Sequence, residues 1–107
     1  LLKQVGKIRT ASTAQGTWVD LALAAQAKQY DCISRYFAPA NGINEDPVTG
    51  SIHTAIAPLW AEKLGKNEVL AYQASQRGGE LYCAVLENER IEISGYAKLY
   101  MQAELYL

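Results

Sequence analysis

Between Ser51 and Ala61 the chain carries neither an acid nor a lysine or arginine, and the first charge comes only at Glu62. Within this run Ile52, Ala55, Ile56, Leu59 and Trp60, followed by Leu64, recur at helical spacing. Ala57 and Ala61 fill the remaining sides, so the helix offers almost no polar face to water and is expected to be buried on most of them. A helix of this kind cannot cover itself, and the rest of the chain has to pack around it. Pro58 lacks an amide hydrogen, which predicts a kink or a tightened first turn. Gly65 is the expected stop.

The surroundings of the helix read mostly as strand. Tyr30–Phe37 is rich in aromatic and branched residues, and Glu68–Ala74, Leu81–Glu87 and Arg90–Ser94 are short strand candidates. Trp18–Ala25 places Val19, Leu21, Leu23 and Ala25 on one face, although its alanine and leucine content also permits a helix. The clearest pattern is the last: Ala97, Leu99, Met101, Ala103, Leu105 and Leu107 alternate with Tyr96, Lys98, Tyr100, Gln102, Glu104 and Tyr106. Such alternation predicts a strand over Tyr96–Leu107 with one buried face. Leu1–Arg9 reads as weakly helical, Thr10–Gly16 as a loop, and Lys28-Gln29 as a tight turn. Ala38–Gly50 holds two prolines, two glycines and two asparagines and is expected to be a loop.

The expected fold class is therefore α+β: an antiparallel sheet or partial barrel wrapped around one central buried helix. About five or six strands are too few to close a barrel, which takes about eight. Open edges invite pairing with another chain, so self-association, in the simplest case a homodimer, is expected.

With 107 residues and 11.8 kDa the chain makes one small domain, residues 1–107. A net charge of −1 gives no electrostatic reason to expect nucleic acid or an anionic membrane surface. No apolar run approaches the roughly 18 residues of a membrane span, and nothing resembles a secretory signal, so the expected setting is cytoplasmic. Cys32 and Cys83 are too few and too far apart for a metal motif, and reduced, packed thiols are expected. The first residue is Leu rather than Met, which suggests a processed piece or a truncated frame.

Chemistry concentrates just ahead of the helix, in Glu45-Asp46-Pro47-Val48-Thr49-Gly50-Ser51. A helix start leaves backbone N–H groups unpaired and carries partial positive charge, so it can receive a carboxylate or phosphate. Gly50 lets a ligand approach the backbone, and Ser51 is a good N-cap whose hydroxyl could face that ligand. Asp46 stands at the lip of the turn, where a proton carrier or an amine-binding group would be useful; it could equally make a local turn before Pro47. Glu45 is expected to face solvent or cap the loop, Arg35 to brace the loop with a salt bridge, and Arg77-Gly78-Gly79 to form a hairpin connection. His53 is the only histidine and is expected to be packed and hydrogen-bonded rather than a base.

Asp31–Pro39 and Gly42–Ser51, with Leu59-Trp60-Ala61-Glu62-Lys63-Leu64-Gly65, Gln73–Leu81 and Arg90–Ala97 following in order, resemble the C-terminal domain of the PhzF-like isomerases. These are phenazine biosynthesis-type proteins with the diaminopimelate epimerase fold. The match is close from about Tyr30 onward and weak over Leu1–Gln29. The resemblance implies a cofactor-independent isomerase of two similar domains, with the active site in the cleft between them. In PhzF itself a glutamate of the N-terminal domain moves a proton on a dihydro-hydroxyanthranilate ring; substrates of many relatives are unassigned, so the ring does not transfer.

For this chain the resemblance implies that Asp46 is the acid of its domain, and that Gly50 and Ser51 bind a substrate carboxylate. No metal or cofactor is implied. The N-terminal domain with its glutamate is missing from these residues, so the chain alone is expected to be inactive unless a complementing N-terminal chain joins it. The alternative is a non-catalytic remnant, a self-associating module that binds small anions. A hydrolase using Ser51 as nucleophile comes a distant third, for want of a nearby base.

Overall fold

The computed structural model describes the backbone of residues 5–11 and 18–107, and side chains from Ala24 onward. In chain order it contains β1 (Val5–Ala11), β2 (Trp18–Ala25), β3 (Cys32–Ala38), a single 3-10 turn at Pro39–Asn41, β4 (Ile43–Asp46), α1 (Gly50–Leu64), β5 (Glu68–Gln73), β6 (Gly79–Val85) and β7 (Ile91–Ser94). The strands form one sheet in the order β1-β2-β3-β5-β6-β7, with β4 paired to β3 beside this path.

Every pairing is antiparallel except β3 with β5, where Cys32, Ile33 and Ser34 run parallel to Ala71, Tyr72 and Gln73. The parallel pair follows from α1. The connection from β3 to β5 is a long crossover through β4 and α1 rather than a hairpin, which allows the two strands to run in the same direction. Asp31 pins the start of the pair: its carboxylate accepts the Leu70 amide at 2.7 Å and Lys66 Nζ at 2.6 Å. The Asp31 amide in turn donates to the Leu70 carbonyl.

α1 lies across β5, β6 and β7. Ile52, His53, Ile56, Ala57, Trp60 and Ala61 are buried, a stripe one helical turn apart in two rows. They meet Cys32, Val69, Ala71, Leu81 and Cys83 from alternate positions of β3, β5 and β6. Of the outward residues of the same strands, Arg35 and Tyr82 are exposed and Ile33, Leu70, Tyr72 and Ala84 are half-buried. The burial of α1 is one-sided, because an open sheet covers one side: Ala55 is exposed and Leu59 is 37% exposed despite the absence of charge around them. The helix runs unbroken through Pro58 and ends at Gly65, whose amide reaches the carbonyls of Ala61 and Glu62.

Four expectations are corrected. Residues 5–9, read as weakly helical, belong to strand β1, because a ladder with β2 from Val5↔Ala25 to Ala11↔Trp18 outweighs weak local preference. Thr10 and Ala11 belong to that strand as well, while the remainder of the expected Thr10–Gly16 loop lies outside the described residues. Ala38–Gly50 is not wholly loop, since β4 pairs with the far end of β3. Tyr96–Leu107 is not a strand here. Alternation makes a segment fit to be a strand, but a strand exists only against a neighbour, and none of the described strands pairs with it. Trp18–Ala25 is the strand, not the helix, of its two readings.

Candidate functional site

The turn between β4 and α1 is held from below by side chains of the β5–β6 hairpin. Gln73 is fully buried at the end of β5. Its Nε2 donates to the Asp46 carbonyl at 2.7 Å and to Thr49 Oγ1 at 3.0 Å, while its Oε1 accepts the Thr49 amide at 2.8 Å. One residue thus satisfies both ends of the turn, which a primary amide can do because it carries donors and acceptor together. Ser75 Oγ donates to the Pro47 carbonyl at 2.8 Å and accepts the Gly78 amide at 3.0 Å.

The glycines of the hairpin are required by this clamp. A Cβ on Gly79 would lie 2.3 Å from Val48 Cγ2, and one on Gly78 would lie 2.0 Å from the Tyr72 hydroxyl. Gly78 also has a φ of 71°, a left-handed backbone that side chains disfavour.

Thr49, not Ser51, occupies the N-cap position. Its hydroxyl does not cap the helix but donates to Asp46 Oδ2 at 2.5 Å. Its amide is taken by Gln73, so the helix starts with Gly50 and Ser51 exposed in the first turn. Gly50 has open space where a Cβ would stand, with nothing within 4 Å.

Beneath them His53, fully buried, faces the Thr49 carbonyl with Nδ1 at 2.6 Å and Ser34 Oγ with Nε2 at 3.1 Å. A carbonyl can only accept, so Nδ1 carries the proton, Nε2 accepts, and the serine hydroxyl donates. Burial lowers the imidazole pKa, partly opposed by the hydrogen bond to Thr49. It is a neutral strut for the helix start, packed and hydrogen-bonded as the residue pattern predicts.

Arg35 and Glu45 form a two-pronged pair, Nε to Oε1 at 2.7 Å and Nη2 to Oε2 at 2.9 Å, tying β3 to β4. The hydrogen bond from Arg35 holds the Glu45 carboxyl below the usual range. The expected brace at Arg35 is present, and Glu45 is its partner rather than a solvent-facing cap. Cys32 and Cys83 are free and buried, their thiols pushed up to about 12 and about 11 chiefly by desolvation.

An open cavity of about 470 Å³ adjoins the turn, with Val48 and Gly50 on one side and Arg77, Glu80, Ser94 and Tyr96 around it. The Glu80 carboxylate accepts the hydroxyls of Tyr30 and Tyr82, each at 2.9 Å. Of the three residues singled out from the sequence, Gly50 opens onto this cavity. Asp46 and Ser51 stand in the same turn but outside the cavity lining. Arg77, read there as a hairpin residue first, does line it. Gln73 and Ser75, which set the shape of the turn, carry no sequence signature pointing to their role.

Among the described residues no three His, Cys, Asp or Glu side chains group as metal ligands, and no helix is long and apolar enough to cross a membrane. The model of the phenazine biosynthesis-like protein family, PhzC-PhzF, matches residues 7–103. This chain belongs to that family. An uncharacterized isomerase of Pseudomonas aeruginosa is 49% identical over 87 residues, covering 81% of this chain and 33% of its own length. A second, from Halalkalibacterium halodurans, is 54% identical over 79 residues, 74% of this chain and 29% of its own.

Among solved structures, a phenazine biosynthesis PhzC/PhzF protein from Clostridium difficile superposes with a TM-score of 0.74 at 44% identity. It aligns with 84% of this chain and 34% of its own. A PhzF family protein of Enterococcus faecalis gives 0.73 at 45% identity, with similar coverage. The chain spans about a third of the length of the relatives it matches. The family and the α+β fold agree with the reading from residues, with an open sheet rather than a closed barrel.

Proposed function

We propose that these residues form one wall of the cleft of a cofactor-independent PhzF-like isomerase acting by proton transfer on a small, carboxylate-bearing substrate. The observation that carries this reading is the head of α1: an exposed helix start at Gly50 and Ser51, open space at Gly50, and a turn locked by Gln73 and Ser75. In this reading the amides of the first turn and the Ser51 hydroxyl seat the carboxylate, favoured by the helix dipole. Asp46, oriented by the Thr49 hydroxyl, assists the proton transfer or holds a polar substrate group. Arg77 adds positive charge at the edge of the neighbouring cavity.

The opposite wall, with the proton-carrying glutamate that the family resemblance implies, belongs to the other domain. General acid–base chemistry needs its carrier within hydrogen-bond reach of the moving proton. The 107 residues alone are therefore predicted to be inactive. The test is solvent-deuterium incorporation into a panel of small unsaturated amino and hydroxy acids. The chain is assayed alone and coexpressed with the N-terminal two-thirds of the Halalkalibacterium halodurans relative. Incorporation only in the complemented sample, abolished by Asp46→Asn, is the expected result. Incorporation by the chain alone, or none in a complex shown to form, overturns the proposal.

A further inference from the structure

Every hydrogen bond of the buried Gln73 side chain ends in the turn that carries Asp46, and together they fix the direction of each proton there. The Thr49 amide can only donate, so the Gln73 side-chain oxygen must face it, at 2.8 Å. The Asp46 carbonyl can only accept, so Nε2 must face that, at 2.7 Å. Both contacts demand the same orientation, and a flipped side chain would set donor against donor and acceptor against acceptor. The second hydrogen of Nε2 then goes to Thr49 Oγ1 at 3.0 Å.

Thr49 Oγ1 is left with one proton to place. The residue is buried, and Asp46 Oδ2 at 2.5 Å is the one acceptor for that proton among the described residues. A proton on Oδ2 would point at a hydroxyl that already receives the Gln73 hydrogen. It would also leave the proton of a buried threonine hydroxyl without a partner, which is costly. Oδ2 therefore accepts in either protonation state of Asp46. The other oxygen, Oδ1, has no hydrogen bond among the described residues. Trp60 Nε1 is the one buried side-chain polar atom there without a partner, so Oδ1 is open to solvent.

We infer that Gln73, acting through the Thr49 hydroxyl, is a positioning residue that reserves Oδ2 of Asp46 as an acceptor and leaves Oδ1 as the oxygen that exchanges a proton with the substrate. The inference rests on the proton-transfer role proposed for Asp46. Oδ1 takes one proton from the substrate and returns one, while the Thr49 proton stays on Oγ1, so the carboxylate ends each turnover as it began. Asp46 closes β4, Thr49 caps α1 and Gln73 closes β5, so all three members lie within this chain and the opposite wall of the cleft is not needed to order them.

Neutron diffraction from crystals of the perdeuterated chain locates these protons without any substitution. The expected map has the Thr49 deuterium on Oγ1 directed at Oδ2 and, in crystals brought to acid pH, the Asp46 deuterium on Oδ1. Deuterium on Oδ2, or a Thr49 hydroxyl directed elsewhere, overturns the inference. The catalytic consequence is read in the complemented enzyme. Thr49→Val keeps the shape and removes the hydroxyl; it is expected to lower kcat about tenfold, the worth of one hydrogen bond to a charged group, with KM little changed. Thr49→Ser is expected to keep the wild-type kcat. A loss confined to KM, or a serine variant no better than the valine, overturns the use of Oδ1 in turnover. An inactive complemented wild type sinks the isomerase reading and with it that use, and the neutron map decides the proton order in either case.

Discussion

His53 is the only histidine of the chain, so the near-neutral pH dependence of its stability has one main side-chain source. Its folded pKa lies below the unfolded value because burial disfavours the charged ring. The unfolded state therefore takes up a proton first as pH falls. Stability is full above about pH 6.5 and declines below it. Thermal unfolding followed from pH 7.5 to 5.5 should show a falling midpoint, and His53→Gln should flatten that slope. Gln73→Ala is expected to cost about 3 kcal/mol in chemical denaturation, because it strands the Thr49 amide and the Asp46 carbonyl without partners. The turn that carries Asp46, Gly50 and Ser51 was legible in the sequence because turn-forming and small residues cluster ahead of an apolar run, although Thr49 rather than Ser51 takes the N-cap position. Gln73 and Ser75 were not, since their partners lie more than twenty positions away and a glutamine in a strand carries no local signal.

At the level of elements, α1 was legible from its spacing and from Gly65, and five of the strands lie close to their expected positions, β2 as one of its two readings. Val5–Ala11 was hidden because its evidence is a ladder with β2 rather than any property of its own residues. Tyr96–Leu107 was misread for the converse reason: its pattern is strong, but none of the described strands pairs with it. The start of α1 offers a clean separation of fold from function. Gly50→Ala meets no atom and removes a flexible residue from a helix, so stability should hold or rise by up to about 1 kcal/mol. In the complemented enzyme the same methyl group should obstruct the carboxylate and raise KM. Unchanged KM would remove Gly50 from the seat. Packing of β3 and β6 against α1 likewise predicts that Cys32 and Cys83 resist a thiol reagent until the sheet unfolds. Rapid labelling of the native chain would contradict that packing.

The described residues form an open sheet with one helix on it, and the chain covers about a third of the length of its relatives. Its outward helix face at Ala55 and Leu59 and its unpaired last segment are apolar surface, which an isolated domain of this size would ordinarily cover. The head of α1 needs no such completion, because Gln73, Ser75 and His53 shape it from within the chain. This makes the proposed carboxylate seat testable on these residues alone. The most direct measurement is an amide NMR titration of the chain with a small carboxylic acid, paired with its methyl ester. Saturable shifts confined to Gly50, Ser51 and their neighbours, produced by the acid and not by the ester, are predicted. Shifts absent from that turn, or equal for acid and ester, would contradict a preformed seat.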